Sequence, residues 1–256
     1  MKILAPLVVG LLFLAAWEAV VRIEDIPRYI LPGPLLVAET LWTDGASLSS
    51  ALLVTLRITF AALAAAIVIG SAIALLFARS RVLEISLFPY AVILQVTPIV
   101  AIAPLIIIWV KDTFLSLLLC AWIVAFFPIV SNTTLGLNSA DRNLVELFRL
   151  YGASNWQILW RLRLPSALPY FLAGLRISGG LALIGAVVAE FVAGTGGAET
   201  GLAFRILESG YRLQIPRMFA ALVLLSVTGV AIYGVLSLVS WLLLRRWHES
   251  ALPRED

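Results

Sequence analysis

Long apolar runs separated by short polar segments form the dominant pattern of this chain. Segments of roughly 17 to 25 mainly apolar residues can cross a bilayer as helices. The chain carries six such runs, at 1–21, 52–77, 85–110, 114–130, 170–192 and 218–244. A membrane interior accepts only helices or closed barrels, and these runs are too long for barrel strands. The pattern therefore predicts an all-α polytopic membrane protein with six transmembrane helices.

Composition agrees with that pattern. Of the 256 residues, 62% are hydrophobic and 13% are charged, whereas about a quarter are charged in an ordinary globular protein. The net charge of +3 comes from arginines bordering apolar runs, which anionic headgroups attract, so we expect membrane lipid and no nucleic acid as a partner. The single cysteine, Cys120, lies inside an apolar run and excludes a disulfide framework or cysteine metal site within one chain.

The first run admits two interpretations. A secretory signal peptide would need a small-x-small cleavage site, and Trp17 stands where that site should lie. We therefore expect a retained first span. Prolines prevent one continuous helix in the segment that follows, where residues 35–42 are expected to form a short interfacial helix.

Basic residues predict the orientation, because cytoplasmic loops carry an excess of lysine and arginine. With a cytoplasmic amino terminus, the inner side holds Lys2, Arg79, Arg81, Arg142, Arg149, Arg161, Arg163, Arg245, Arg246 and Arg254. The outer side holds fewer: Arg22, Arg28, Lys111, Arg205, Arg212 and Arg217. Both termini are thus predicted inside. The segment 205–217 is fairly basic for the outer side, although Glu199 and Glu208 lie close to its arginines.

This topology divides the chain into three parts. Residues 1–50 hold the first span and an outer interfacial segment, residues 51–244 hold a core of five spans with a cytoplasmic loop at 139–169, and residues 245–256 form a cytoplasmic tail. The lone histidine, His248, is expected to be a solvated residue of that tail.

Polar residues inside apolar runs are functional candidates, because burying them in lipid is costly. Gln95 and Thr97 stand beside Pro98 in a run whose prolines must kink or break the helix and free backbone carbonyls. Gln95 and Thr97 either line a gate or make an interhelical bond worth about 1 kcal/mol. Glu190 is either an outer-gate contact or a headgroup-level charge paired with a nearby arginine.

Small residues in the fifth run predict close helix packing, within the chain or in a dimer. They are Ser178, Gly179, Gly180 and Gly185. Two arginines inside the spans, Arg57 and Arg176, are expected to extend toward opposite membrane faces.

The longest polar interruption, residues 141–169, opens with a helix signal. Asp141 suits a helix amino terminus and Gly152 suits a stop, which predicts a helix that ends at residue 151. Its apolar face should consist of Leu144, Leu147, Phe148 and Tyr151. On another face, ion pairs are expected among Arg142, Glu146 and Arg149.

A second helix signal follows in the same interruption. Ser154 and Gln157 have capping-box spacing, which predicts a helix over 155–163. The residue before Pro165 is disfavoured in a helix, so this second helix should end there. Both helices are too short to be stable alone and need a surface to pack against.

These residues resemble a known family. The spacing from Glu146 to Gly152 and on to Leu162-Arg163-Leu164-Pro165 is similar to the EAA loop of ABC-importer permeases. The segments ILPGPLLVAETLW, RLPSALPYFLAGLRIS and VAEFVAGTGG resemble the nitrate/sulfonate/taurine branch of that family. The chain departs from the family in two places. Leu147 and Phe148 replace its usual alanines, and AGTGGAETGLA replaces a shorter Gly-Leu-Gly ending.

The resemblance implies a type I ABC-importer permease core, in the bacterial inner membrane, with a cytoplasmic EAA coupling helix. The implied partners are two ABC ATPase subunits, a second permease chain, by default a homodimer mate, and a periplasmic substrate-binding protein. ATP and Mg would bind to the ATPases, and no cofactor to this chain. The residues implied to couple to the ATPase are Glu146, Leu147, Phe148, Arg149, Tyr151, Gly152, Ala153, Leu164 and Pro165. The alternative is an ordinary amphipathic loop on the membrane surface.

The chain itself lacks the residues for catalysis. A P-loop needs a lysine and a following Ser or Thr after a glycine-rich turn, and neither Lys2 nor Lys111 has that context. We expect no catalytic residue and no metal site, since a membrane enzyme would need clustered acids or histidines. An ion-driven secondary transporter is the alternative, but it predicts internal repeats and paired intramembrane carboxylates. The sequence leaves two classes of solute, a small oxyanion or sulfonate and a pyrimidine- or flavin-like compound.

Overall fold

The computed structural model describes residues 4–194 and 200–245, and within these ranges it contains helices and no strand. The predicted tail beyond Arg245, with His248, and residues 195–199 of the glycine-rich segment lie outside the described residues. The helices are α1 (Leu4–Ile23), α2 (Pro34–Thr43), α3 (Gly45–Arg79), α4 (Arg81–Val96), α5 (Ile99–Trp109), α6 (Thr113–Asn138), α7 (Arg142–Leu150), α8 (Asn155–Ile158), a π-helix (Leu159–Arg163), α9 (Leu164–Ala193), α10 (Leu202–Tyr211) and α11 (Ile215–Leu244).

Five helical segments are long and apolar enough to cross a membrane, which confirms the all-helical prediction. Four of them are α1, α3, α6 and α11, and the fifth is the continuous segment Asn155–Ala193, which ends in α9. The pair α4 and α5 is a sixth candidate, although its two helices meet at an angle of 98°.

The bend between α4 and α5 confirms the predicted break in the third run. It falls at Thr97, whose backbone is extended at φ −71° and ψ 122°, directly before Pro98. A residue before proline is pushed out of the helical region by the pyrrolidine ring, and proline cannot donate a helix bond. Pro89 and Pro104 lie inside α4 and α5 without ending either helix.

The fourth run extends further than predicted. The predicted run ends at residue 130, yet α6 continues through Asn138. Thr133, Thr134 and Leu137 are buried along this last part of α6. Packing of one face stabilises the helix despite residues of modest helix propensity, so tertiary burial overrides the local signal.

Two compact units divide the chain. One consists of Leu56–Ala193 with Gly229–Asp256, and the other of Met1–Thr55 with Gly194–Thr228. In the first unit α6 and α9 pack face to face through glycines, because a Cβ at Gly174 would lie 2.7 Å from the Pro128 carbonyl oxygen. A Cβ at Gly185 would likewise lie 2.8 Å from the Cα of Ala121. The predicted close packing is therefore confirmed at Gly185, but not at Gly180, where a Cβ would meet no atom within 4 Å.

One cluster in this unit joins the ends of three helices. Ala74 of α3, Leu137 of α6 and Ala167 of α9 are buried together, with Leu159 and Leu164 packed against them. Burial of these apolar side chains is favourable by roughly 25 cal/mol per Å². The cluster therefore holds the end of α3, the end of α6 and the start of α9 at the same level.

The second unit has its own apolar core around the amino end of α3. Leu48 and Ala51 pack with Leu202 and Ile206 of α10. The Leu202 backbone N–H donates to Thr55 Oγ1 at 2.8 Å, which satisfies one of the amide groups at the start of α10.

Ion pairs join the arginines of the segment that follows α9 to nearby acids. Glu208 accepts from Arg205 at 2.9 Å and lies 2.9 Å from Arg212, while Arg217 lies 3.4 Å from Asp44. The hydrogen bond from Arg205 holds the pKa of the Glu208 carboxyl below its ordinary value. The three arginines of this segment thus pair with two acids.

A cross-helix hydrogen bond supplies a stability test. Ser178 of α9 is fully buried and its hydroxyl donates to the Ala125 carbonyl of α6 at 2.7 Å. Ser178→Ala should destabilise the chain by about 0.6 to 1.7 kcal/mol, the range for interhelical bonds in membranes. Ser166→Ala is the matched control, because that hydroxyl bonds only to the Leu162 carbonyl one turn earlier. Thermal unfolding in detergent should separate the two variants, and equal midpoints would contradict the assignment.

Candidate functional site

The polar interruption forms a capped helix, as its sequence predicts. Asp141 Oδ1 accepts from the Asn143 backbone N–H at 2.8 Å at the start of α7. At the other end Gly152 has φ +74°, and the Ala153 N–H donates to the Phe148 carbonyl at 2.9 Å. A Cβ at Gly152 would meet no atom within 4 Å. Glycine is therefore required there by backbone conformation and not by space.

Helix α7 presents two different faces. The predicted apolar face is uncovered in this chain, with Leu144 44%, Leu147 45% and Tyr151 85% exposed. Phe148 is half-buried. The sequence missed Val145, which lies about 100° around the helix from Leu144 and is 9% exposed. An exposed apolar stripe on a helix that is capped at both ends is typical of a binding surface.

The predicted ion pairs within α7 are wrong. Glu146 makes no ion pair with Arg142 or Arg149 in the described part of the chain. All three side chains instead border a cavity on the Val145 side of the helix. Exposed pairs at this spacing are worth only about 0.3–0.5 kcal/mol, so a small change of side-chain direction suffices to break them.

The second helix begins as predicted but does not stop. Both capping-box bonds are present, with the Ser154 N–H donating to Gln157 Oε1 at 2.7 Å and the Gln157 N–H to Ser154 Oγ at 3.3 Å. Pro165 was expected to end the helix. The chain instead makes a π-turn, in which the Leu164 N–H bonds to the Leu159 carbonyl, and continues into α9. A widened turn relieves the clash between a proline ring and the preceding turn.

The π-helix that precedes α9 is anchored to a distant part of its unit. Arg163 Nη1 donates to the Ala78 carbonyl near the end of α3 at 3.1 Å. Leu164 is half-buried, whereas Pro165 is exposed. No local signal identifies the Arg163 contact, because its partner lies 85 residues earlier.

The predicted pathway residues lie at the break between α4 and α5. Gln95 and Pro98 are exposed, and Thr97 is half-buried with its hydroxyl donating to the Ile93 carbonyl at 2.7 Å. That bond stays within one helix, so an interhelical bond from Thr97 is not observed. Gln95 has no hydrogen-bond partner among the residues that the structure describes.

Glu190 lies near the end of α9 that is farther from the π-helix. It is 4% exposed and about 39 Å along the helix from Leu164, at 1.5 Å per residue. The structure therefore brings together the residues predicted to couple to an ATPase, and separately Gln95, Thr97 and Pro98, but it does not bring these two groups together. Within the described ranges, no three acidic, histidine or cysteine side chains are grouped as a metal would require.

Known proteins are similar to most of this chain. Residues 66–250 match the family described as binding-protein-dependent transport system inner membrane component. A riboflavin transport system permease protein of Chloroflexus aurantiacus is 36% identical, covering 94% of this chain and 88% of its own length. A formylaminopyrimidine transport permease protein of Halalkalibacterium halodurans is 35% identical, covering 89% of each.

Further similarities concern the branch and the fold. A taurine transport system permease protein of Escherichia coli is 29% identical over 84% of this chain and 79% of its own length. A crystal structure of an amino acid ABC transporter superposes with a TM-score of 0.64 at 18% identity, over 78% of this chain and 95% of that one. At that identity the superposition supports the helical fold alone.

Proposed function

The chain belongs to the family of binding-protein-dependent transport system inner membrane components, and on that premise we propose that it forms the translocation pathway of an ATP-driven importer. In this role it takes a small solute from a periplasmic binding protein in the bacterial inner membrane. It is a transport subunit, and separate ATPase subunits hydrolyse ATP with Mg. The importer contains two ATPase subunits and two permease chains, the second permease being a copy of this one.

The uncovered apolar face of α7 is the observation that carries this proposal. Leu144, Leu147 and Tyr151 stand exposed on a helix that is capped at both ends. Such a helix binds in a groove of a partner, as amphipathic helices do elsewhere. The ATPase is the partner that supplies the energy, because this sequence contains no P-loop.

The helical connection from α7 to the membrane supports coupling. After the Gly152 turn, the chain runs as one helical segment from Asn155 to Ala193. Arg163 ties the start of this segment to the Ala78 carbonyl. ATPase closure that moves α7 is thus transmitted to α9 and the helices packed on it, and the spans rock between inward-open and outward-open states.

The chain crosses the membrane six times in this proposal, because three helix ends lie at the same level. The ends of α3 and α6 lie together with the start of α9. Helix α6 is 26 residues long, or about 39 Å, so it begins on the opposite membrane side. The pair α4 and α5 connects α3 to that side and crosses once despite its bend. We place the shared end in the cytoplasm by its arginines, with both termini there as well.

The bend itself marks the solute pathway in this proposal. Gln95, Thr97 and Pro98 line it at the break, and Glu190 lies toward the periplasmic end. The unpartnered amide of Gln95 offers a donor and an acceptor without charge. This favours a pyrimidine- or flavin-like solute, the class for which the riboflavin and formylaminopyrimidine relatives are named. A sulfonate, as in the taurine relative's name, is the second candidate.

Affinity purification of the full chain from its native membranes tests the proposal. We expect an ATPase subunit to copurify, with vanadate-sensitive ATP hydrolysis. Gly152→Pro should uncouple it, because proline requires φ near −65° where the chain has +74°. Gly152→Asn should retain activity, since asparagine tolerates the left-handed region. A preparation without ATPase, together with riboflavin uptake that an ionophore abolishes, would favour the ion-driven alternative.

A further inference from the structure

A cavity of about 240 Å³ lies on the inward face of α7, between that helix, the end of α6 and the π-helix. Arginine side chains from two elements line it, namely Arg142 and Arg149 of α7 and Arg163 of the π-helix. Glu146 is the one acid among its lining residues. The cavity is therefore a concave site with a surplus of positive charge.

The positive charge of this cavity is not neutralised within the described residues. Arg142 and Arg149 make no ion pair there, and the side chain of Arg163 bonds only to the neutral Ala78 carbonyl. A guanidinium group presents paired N–H donors that match phosphate oxygens, so arginine is the favoured residue for binding phosphate. Three such groups around one concave surface match a phosphate ester in both charge and geometry.

The position of the cavity indicates how a phosphate would reach it. Arg163 immediately precedes α9, and Leu137 of the lining belongs to the end of the spanning helix α6. Leu137 and Arg163 each lie seven residues outside the apolar runs 114–130 and 170–192, or about 10 Å along the helix, so the cavity borders the headgroup side of the bilayer. Basic pockets between transmembrane helices on the cytoplasmic side bind anionic headgroups. The cytoplasmic location is taken from the proposed function.

We propose that this cavity binds the phosphate headgroup of an anionic phospholipid of the inner leaflet. The bound lipid neutralises Arg142, Arg149 and Arg163 and fastens α7 to the membrane. Lipid occupancy thereby holds the coupling helix at a fixed height for its ATPase.

An acidic segment of the ATPase is the competing occupant, and the geometry of α7 argues against it. Successive residues of a helix are about 100° apart, which places Arg142, Glu146 and Arg149 opposite Leu144, Leu147 and Tyr151. The first set lines the cavity beside buried Val145, and the side chains of both sets are exposed. An ATPase bound through Leu144, Leu147 and Tyr151 therefore lies on the other side of the helix from the cavity.

Lipid titration of the purified full chain tests the proposal. Native mass spectrometry would measure the binding of phosphatidylglycerol, with phosphatidylcholine as the zwitterionic comparison. Arg142→Gln and Arg163→Gln should each weaken phosphatidylglycerol binding about fivefold, the effect of one basic residue near an anionic surface. Arg161→Gln is the matched control, because Arg161 is exposed in the same π-helix and outside the cavity lining. Its phosphatidylglycerol affinity should not change.

Three kinds of result would overturn the proposal. The first is a lack of selectivity, seen either as equal loss of affinity in all three variants or as no preference for phosphatidylglycerol over phosphatidylcholine. The second is displacement of the lipid by an equal concentration of inorganic phosphate, which would assign the site to a soluble anion. The third is loss of ATPase copurification in Arg142→Gln with lipid affinity unchanged, which would assign the cavity to the ATPase.

Two features of the design keep the result interpretable. The side chain of Arg142 makes no hydrogen bond in the described part of the chain, so Arg142→Gln is informative even if Arg163→Gln does not fold. The titration uses the permease chain alone. Failure of the proposed function, seen as wild-type chain that captures no ATPase, is thus distinguishable from failure to bind lipid.

Discussion

Replacing Leu147 with aspartate is expected to abolish both ATPase capture and solute uptake while leaving the chain folded in the membrane. Leu147 is 45% exposed on the apolar face of α7. Burying such a side chain against a partner is worth about 1.5–3 kcal/mol, and an unpaired buried carboxylate would add a desolvation cost. The ATPase affinity should therefore fall by about a hundredfold or more.

Asn143→Asp is the matched control for that experiment. It adds the same charge to the same helix one turn before Leu147, but it removes no apolar side chain from the contact surface. A negative charge in a first turn is favourable to a helix, so this variant should fold and transport normally. Copurified ATPase, measured by immunoblot, and uptake in cells give the comparison. Normal uptake by Leu147→Asp would show that this face does not contact the ATPase.

Replacing Gly174 with leucine is expected to prevent α6 and α9 from packing, with loss of folded protein. A Cβ at this position would lie 2.7 Å from the Pro128 carbonyl oxygen, which belongs to a helix backbone and has little freedom to move. Overpacking of this kind costs about 3 kcal/mol, which is a large part of the stability of a typical domain. The effect should appear as aggregation in size-exclusion chromatography and a lowered unfolding midpoint.

Gly180→Leu is the control for the packing experiment. Gly180 lies on the same helix, and a Cβ there would meet no atom within 4 Å. Leucine is also a better helix former than glycine, so the folded yield of the single chain should be unchanged or higher. If Gly174→Leu matched Gly180→Leu in yield and midpoint, close contact of α6 with α9 would not be essential.

The two experiments probe successive steps of one proposed mechanism. The Leu147 variant tests the surface that receives movement from the ATPase. The Gly174 variant tests the contact through which movement of α9 displaces α6. Between them lie the π-turn and the bond from Arg163 to Ala78. A π-turn inside a helix is often found at functional sites. Its position here, between a binding helix and a spanning helix, fits the transmission of movement.

Local chemistry explains what the sequence determined by itself. The spans follow from apolar length, because lipid cannot satisfy backbone polar groups in any other structure. The caps at Asp141, Ser154 and Gly152 follow from side chains and backbone angles within a few residues. The break at Pro98 follows from a missing N–H and a steric restriction on Thr97. Each of these signals is contained within one turn or one run of the chain.

Only the tertiary structure decided features that depend on contacts between distant residues. The extension of α6 to Asn138 is stabilised by burial of its last turns, and helix continues past Pro165 through a π-turn. The cavity beside α7 exists because Val145 packs inward and Arg163 reaches Ala78. Such features rest on packing across many residues, for which the local sequence carries no signal.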